Sequence, residues 1–199
     1  MKSTLGCMLF ILFMRNVFAA PSMTGEQIFK RQCASCHSQN ANDTNIPILF
    51  GQEQRYIVKA LNKFKADERT DHILGSMKSM AMHLSDDDIN AIAKYVSTKD
   101  ICSVKQNIDT KKEGFIEAFR AGRAIEKKIN CQHCHGSFHR GAPRFYGQRK
   151  RFLKLTLHAF QGGRRDFPIM KRVTSQLSNE DIENLSTYIN AMVLMRDCK

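Results

Sequence analysis

One unit is written twice in this chain of 199 residues, and that repetition restricts it to two copies of one small fold. The first copy reads Cys33-Ala-Ser-Cys36-His37, then Pro47 through Gly51-Gln52, then Met77, then Leu84-Ser85 through Asp88-Ile89. The second reads Cys131-Gln-His-Cys134-His135, then Pro143 through Gly147-Gln148, then Met170, then Leu177-Ser178 through Asp181-Ile182. The order is the same, and the offset between copies falls only from 98 to 96 to 93 residues, so the connecting loops hardly change length.

Each copy reads as three helices, with no convincing strand. Thr24 and Gln27 form a capping box opening a helix that runs into Cys33. From Gln52 to about Ala66, the positions of Tyr56, Ala60, Leu61 and Phe64 share one helical face. Ser85 caps a third helix that buries Ile89, Ile92, Ala93 and Val96, and Ser178 does the same for Ile182, Leu185 and Ile189. Phe119 stands twelve residues before Cys131 where Phe29 stands four before Cys33, which predicts an extra loop around Lys127 to Asn130. The polar stretch 99–113 reads as a linker. Units this small have thin cores, so something besides side chains is expected to fill them.

The pentapeptide names the filler. In Cys-x-x-Cys-His on a helix the two thiols lie about one turn apart and can add to the two vinyl groups along one edge of a haem, with the adjacent imidazole brought under the iron. Cys33, Cys36, Cys131 and Cys134 are therefore candidate thioether anchors, and His37 and His135 candidate proximal ligands. A zinc site of four cysteines explains neither the histidine after each pair nor the repeated methionine downstream. Met77 and Met170 stand seven residues before Leu84 and Leu177 and are the candidate distal ligands; a thioether favours ferrous iron and raises the potential. Met80 and Met82 have no methionine counterpart in the second copy and are expected to pack against the haem or the core. Histidines 72, 83, 133, 139 and 158 also lack repeat partners and read as surface or loop residues. Pro47 and Pro143 can each offer a backbone carbonyl to the proximal imidazole N–H, or simply stiffen a turn.

Lys2, the apolar run Leu5–Met14, Arg15 and the small residues Ala19 and Ala20 have the order of a secretory signal, with cleavage expected after Ala19. Ten apolar residues are too few for a bilayer span of about 20. Cys7 leaves with that segment, and the mature chain is expected in the periplasm. Cys102 and Cys198, the two cysteines left over, are either joined or independent thiols. Charge is divided unequally: residues 20–104 hold ten basic and ten acidic side chains, whereas 105–199 hold nineteen and nine. Arg140, Arg144, Arg149, Lys150, Arg151, Lys154, Arg164, Arg165, Lys171 and Arg172 would then steer the second site toward an acidic partner or an anionic membrane surface. Nucleic acid is an unsuitable target for an exported haem protein.

Together the two pentapeptides, the two Pro-x-x-x-Gly-Gln segments, the two methionines and the two Leu-Ser-x-x-Asp-Ile helix starts resemble the cytochrome c-four class of dihaem cytochromes, from about Gly25 to Met195. Ser38 departs from it, since the family usually has glycine there. The resemblance implies an all-α fold of two tandem cytochrome c-like domains, each of three to five helices around one covalent c-type haem. The chain then divides into a signal peptide at 1–19, a first domain at 20–98, a linker at 99–113 and a second domain at 114–199. It further implies a pseudo-twofold axis, haem propionates facing each other near the interface, a quinol-oxidising complex as electron donor and a terminal oxidase as acceptor. With both irons closed by His and Met there is no open position for substrate, which favours an electron carrier over an enzyme. The alternatives are the dihaem subunit of a larger, flavocytochrome-type oxidoreductase and a dihaem peroxidase that has lost one methionine ligand.

Overall fold

A computed structural model of the protein describes residues 23–37, 44–69, 75–104, 106–136 and 141–195. The expected signal segment with Cys7, and Ser38, His72, His139, Arg140 and Cys198, lie outside the described residues. Among those described there are helices and no strands.

In the first half, α1 (Gly25–Ile28) passes through a π-helical turn at Phe29–Cys33 into α2 (Ala34–His37), followed by α3 (Gln54–Lys65), α4 (Ser76–Ala81) and α5 (Asp86–Ser97). The second half repeats the order with α6 (Phe115–Ile129), α7 (Gln132–His135), α8 (Lys150–Gln161), α9 (Pro168–Thr174) and α10 (Asn179–Ala191). The short helices α4 and α9, which carry the two candidate methionines, are additions to the three-helix reading.

The frame of each domain is the crossing of its first helix over its last. A Cβ on Gly25 would lie 2.0 Å from the Ala91 carbonyl oxygen in α5, and one on Gly122 would lie 2.1 Å from that of Asn184 in α10. Only glycine permits such close backbone approach. Ala91 and Asn184 are 93 residues apart, the offset of the Leu-Ser helix starts, so both domains use the same crossing. That pairing corrects the expected loop at Lys127–Asn130. Gly122 precedes Cys131 by nine residues and Gly25 precedes Cys33 by eight, so the second copy is longer by one residue and not eight. Helix α6 runs unbroken to Ile129, because the lysines there are good helix formers and Asn130 closes the helix in the left-handed conformation at φ 58°.

Helices α5 and α10 begin with matching caps. Ser85 Oγ accepts from the Asp88 N–H at 3.1 Å while the Ser85 N–H donates to Asp88 Oδ2 at 3.0 Å. Ser178 and Asp181 do the same at 3.0 and 2.8 Å. Ile89, Ile92, Ala93 and Val96 are buried as expected from periodicity, as are Ile182, Leu185 and Ile189. Helix α3 starts at Gln54, two residues later than its periodicity suggests, because Gln52 is engaged elsewhere. Ile101 and Val104, in the segment read as a linker, are buried in the first core, where a 3-10 turn at Ile101–Ser103 is capped by Asp100.

Replacing Gly122 with Ala tests the crossing. Helix propensity alone favours Ala by about 1 kcal/mol, yet the collision with the Asn184 backbone is expected to cost about 1–3 kcal/mol or more in denaturant unfolding. For the caps, hydrogen bonds from the Ser178 backbone and hydroxyl hold the Asp181 carboxyl below its usual range. Its contribution is present above the unfolded carboxylate pKa and lost as pH falls through the lowered folded value. Ser178→Ala is expected to destabilise by about 1 kcal/mol at neutral pH, with the difference from the parent shrinking in acid.

Candidate haem sites

The helical run from Gly25 through His37 carries Cys33, Cys36 and His37 on consecutive turns, with the π-turn closed by the Ala34 N–H on the Phe29 carbonyl. In the second half, Asn130 ends α6 and the chain turns at once into α7, where the Cys134 and His135 N–H groups both donate to the Cys131 carbonyl, at 3.2 and 3.0 Å. All four thiols are free. Burial pushes the Cys33 and Cys131 thiols up to about 11, so they stay protonated at neutral pH.

Each histidine is aimed by a proline carbonyl. His37 Nδ1 lies 2.9 Å from Pro47 O, and His135 Nδ1 lies 2.7 Å from Pro143 O. A carbonyl only accepts, so Nδ1 carries the proton in both rings and Nε2 presents its lone pair. Burial lowers the pKa of both imidazoles, which favours the neutral, metal-ligating form. Two thiols that can take thioether bonds and one imidazole held in the ligating tautomer fit a covalent haem at each pentapeptide. A shared zinc site is not assembled: among the described residues no group of three or more His, Cys, Asp or Glu is gathered to hold a metal ion.

Met77 and Met170 are half-buried, on α4 and α9. Pro168 begins α9, and Thr174 anchors it by donating to the Met170 carbonyl at 2.8 Å. Met80 and Met82 lie outside the protein core, 40% and 55% exposed, because α4 turns Ala81 inward; of the two expected places that leaves packing against the haem. His83 and His133 are exposed, and His158 lies half-buried 3.4 Å from Gln161 Oε1.

The two halves meet through the segments that follow the prolines. Gln148 Oε1 accepts from the Ile48 N–H at 2.7 Å and its Nε2 donates to Ile48 O at 2.8 Å. Gln52 makes the same pair with Arg144, at 2.7 and 2.9 Å. Arg144 and Arg149 reach across as well, to Gly51 O at 2.6 Å and Ile46 O at 2.7 Å. Arg165 donates to the Tyr56 hydroxyl at 3.0 Å, where Arg69 also donates, at 3.4 Å. Both guanidinium groups lie over phenylalanine rings, Arg69 over Phe64 and Arg165 over Phe160, each 4.5 Å from the centroid.

This interface corrects the reading of the basic patch. Arg149 is 2% exposed, Arg144 and Arg165 are half-buried between the halves, and Lys150 and Lys154 both pair with Glu183. Arg151, Arg164, Lys171 and Arg172 remain exposed, the last two directly after Met170. A buried charge has no sequence signature of its own, so counting charges overstates the field outside. The interface role of Gln52 and Gln148 was also missed, although each copy repeats the glutamine after its glycine. Glu126, buried and accepting from the Tyr146 hydroxyl at 2.9 Å, occupies the position of Phe29 in the glycine-based register and could be found only after that register was known. Cys102 is disulfide-bonded; Cys198, the partner considered from the sequence, lies outside the described residues.

An all-helical pair of domains, each with a Cys-x-x-Cys-His run and a carbonyl-fixed imidazole, defines a c-type cytochrome with two haem domains. The cytochrome c oxidase, cbb3-type, subunit III family model matches residues 20–96 and again 117–189. A cytochrome c4 of Stutzerimonas stutzeri is 32% identical over 177 residues, 80% of this chain and 84% of that protein. The solved cytochrome c4 of Acidithiobacillus ferrooxidans superposes with a TM-score of 0.66 at 26% identity, over 81% of this chain and 99% of that one. A thiosulfate dehydrogenase electron acceptor of Stutzerimonas stutzeri is 27% identical over 170 residues, 78% of this chain and 76% of that protein. The chain belongs to the cytochrome c4 family: it is a dihaem electron-transfer cytochrome with two covalently bound c-type haems.

Proposed function

We propose that this protein shuttles electrons in the periplasm, from a quinol-oxidising complex to a terminal oxidase, through two haems each closed by a histidine and a methionine. Cys33 and Cys36 would hold the first haem, with His37 and Met77 supplying its iron ligands, and Cys131 and Cys134 would hold the second, with His135 and Met170. The observation that carries the histidine half of this assignment is the pair of Nδ1–carbonyl bonds, which leave both Nε2 lone pairs available to iron on the two pentapeptide helices. When bound, each haem supplies a one-electron couple, and a methionine sixth ligand favours its reduced state. The protein's own residues then attach, orient and insulate: the thiols anchor, Pro47 and Pro143 fix the imidazoles, and the thin cores close around them.

In this reading residues 1–19 are an export signal, 20–98 and 114–199 are the haem domains, and 99–113 connects them, with its start through Val104 packed into the first core. No helix among the described residues is long and apolar enough to cross a membrane. Lys171 and Arg172 are exposed cations directly after Met170, with Arg151 and Arg164 also exposed in the second half, and they favour an acidic partner over an uncharged one. A second reading, as the electron-accepting partner of a sulfur-oxidising enzyme, draws support from the likeness to the thiosulfate dehydrogenase electron acceptor.

Optical spectra of the oxidised and reduced protein check the ligand set. The expected result is two haems per chain, both low-spin, with a Met-to-iron charge-transfer band halved in either Met77→Ala or Met170→Ala. High-spin haem and peroxide turnover in the parent protein would count against a pure electron carrier. For docking, the K171E/R172E double variant is expected to slow electron transfer to an acidic partner several-fold at low ionic strength, and the difference should fade as salt screens it.

A further inference from the structure

We propose that each domain sets the reduction potential of the haem in the other domain, through a glutamine that polarises the opposite proximal histidine. The inference rests on His37 and His135 being the proximal ligands and goes beyond it by assigning Gln148 and Gln52 as positioning residues that act across the interface. The argument turns on two peptide units. In the first, the Pro47 carbonyl accepts from His37 Nδ1 at 2.9 Å while the N–H of the same peptide, on Ile48, donates to Gln148 Oε1 at 2.7 Å. In the second, the Pro143 carbonyl accepts from His135 at 2.7 Å while the Arg144 N–H donates to Gln52 Oε1 at 2.7 Å. One amide therefore joins a histidine of its own domain to a glutamine of the other, and the arrangement occurs twice with the domains exchanged.

An amide whose N–H is hydrogen-bonded has a more negative carbonyl oxygen, so the bond on one side strengthens the bond on the other. A stronger Nδ1–H···O bond raises the basicity of the imidazole at Nε2. A more basic axial nitrogen favours ferric iron and lowers the potential. The site is dry enough for this to register: Gln52 and Gln148 are 6% and 4% exposed. Their amides are also fixed. Gln148 Oε1 takes a second N–H from Arg149 at 3.2 Å, and Gln52 Oε1 takes one from Glu53 at 3.1 Å. With both Nε2 groups committed to the opposing carbonyls, neither amide can turn over without losing bonds at both ends.

The prediction is crosswise. In the intact dihaem protein, with each couple assigned to its domain by NMR of the haem methyl groups, Gln148→Leu should raise the midpoint potential of the haem on Cys33 and Cys36 and leave the other unchanged. Gln52→Leu should do the reverse. Cooperative strengthening of roughly 10–30% of a hydrogen bond, felt mainly in the ferric state, corresponds to a change of up to about twofold in the one-electron equilibrium constant, or up to roughly 20 mV at 59 mV per tenfold. The reduced-state Nδ1 proton resonance of His37 should move in the first variant and that of His135 in the second. Shifts confined to the substituted domain, equal shifts in both, or none would overturn the proposal. Should the leucine variants not fold, Gln148→Glu keeps the accepting oxygen; it should lower the first potential by more than the second, and an unchanged first potential would also overturn it. Low-spin His/Met spectra in the parent separate the two failures: with them, unmoved potentials count against the crosswise coupling alone, and without them the ligand assignment itself falls.

Discussion

Everything in each domain hangs on the contact of its first helix with its last, made at a glycine. At Gly25 against Ala91 and at Gly122 against Asn184 the backbones touch, which no other residue allows. That contact fixes how far along α1 or α6 the chain has travelled when it meets the pentapeptide. It also sets α5 and α10 as the wall on which the remaining helices pack. The two domains then absorb a one-residue difference in different ways: the first has a π-turn between Phe29 and Cys33, and the second has a single left-handed residue at Asn130. In both domains the histidine that follows reaches its proline carbonyl.

The second constraint is the economy of polar groups at the interface. The loop after each proline has backbone N–H and C=O groups that face the other domain and would be costly to bury unpaired. Gln52 and Gln148 satisfy them reciprocally, and the arginines at 144 and 149 bond to further carbonyls across the boundary. The interface is thus built largely of hydrogen bonds between side chains and backbone. The loops whose proline carbonyls accept from His37 and His135 also form the domain boundary, so the placement of one domain bears directly on the histidine of the other.

Much of this was legible in the sequence. The pentapeptides, the helix starts at Ser85 and Ser178 and the buried faces of α5 and α10 follow from local chemistry and period, which a linear pattern records. The proline carbonyls on His37 and His135 could be anticipated because their spacing is short. The loop expected at Lys127–Asn130 was an error of register: Phe119 was aligned with Phe29, whereas the true equivalence is between glycines, visible only when helices cross. Of the two places expected for Met80 and Met82, against the haem or in the core, the phase of α4 gives the core to Ala81.

The sequence by itself determined two haem-binding units of one helical fold, because thiol and imidazole spacing, capping pairs and apolar periodicity are all local properties of the chain. Only the tertiary structure decided how those units face each other: which arginines are buried, that Ile101 and Val104 belong to the first core, and that each glutamine serves the opposite domain. The physical reason is distance along the chain. Gln148 and Ile48 are separated by 100 residues, and nothing local in either segment names the other.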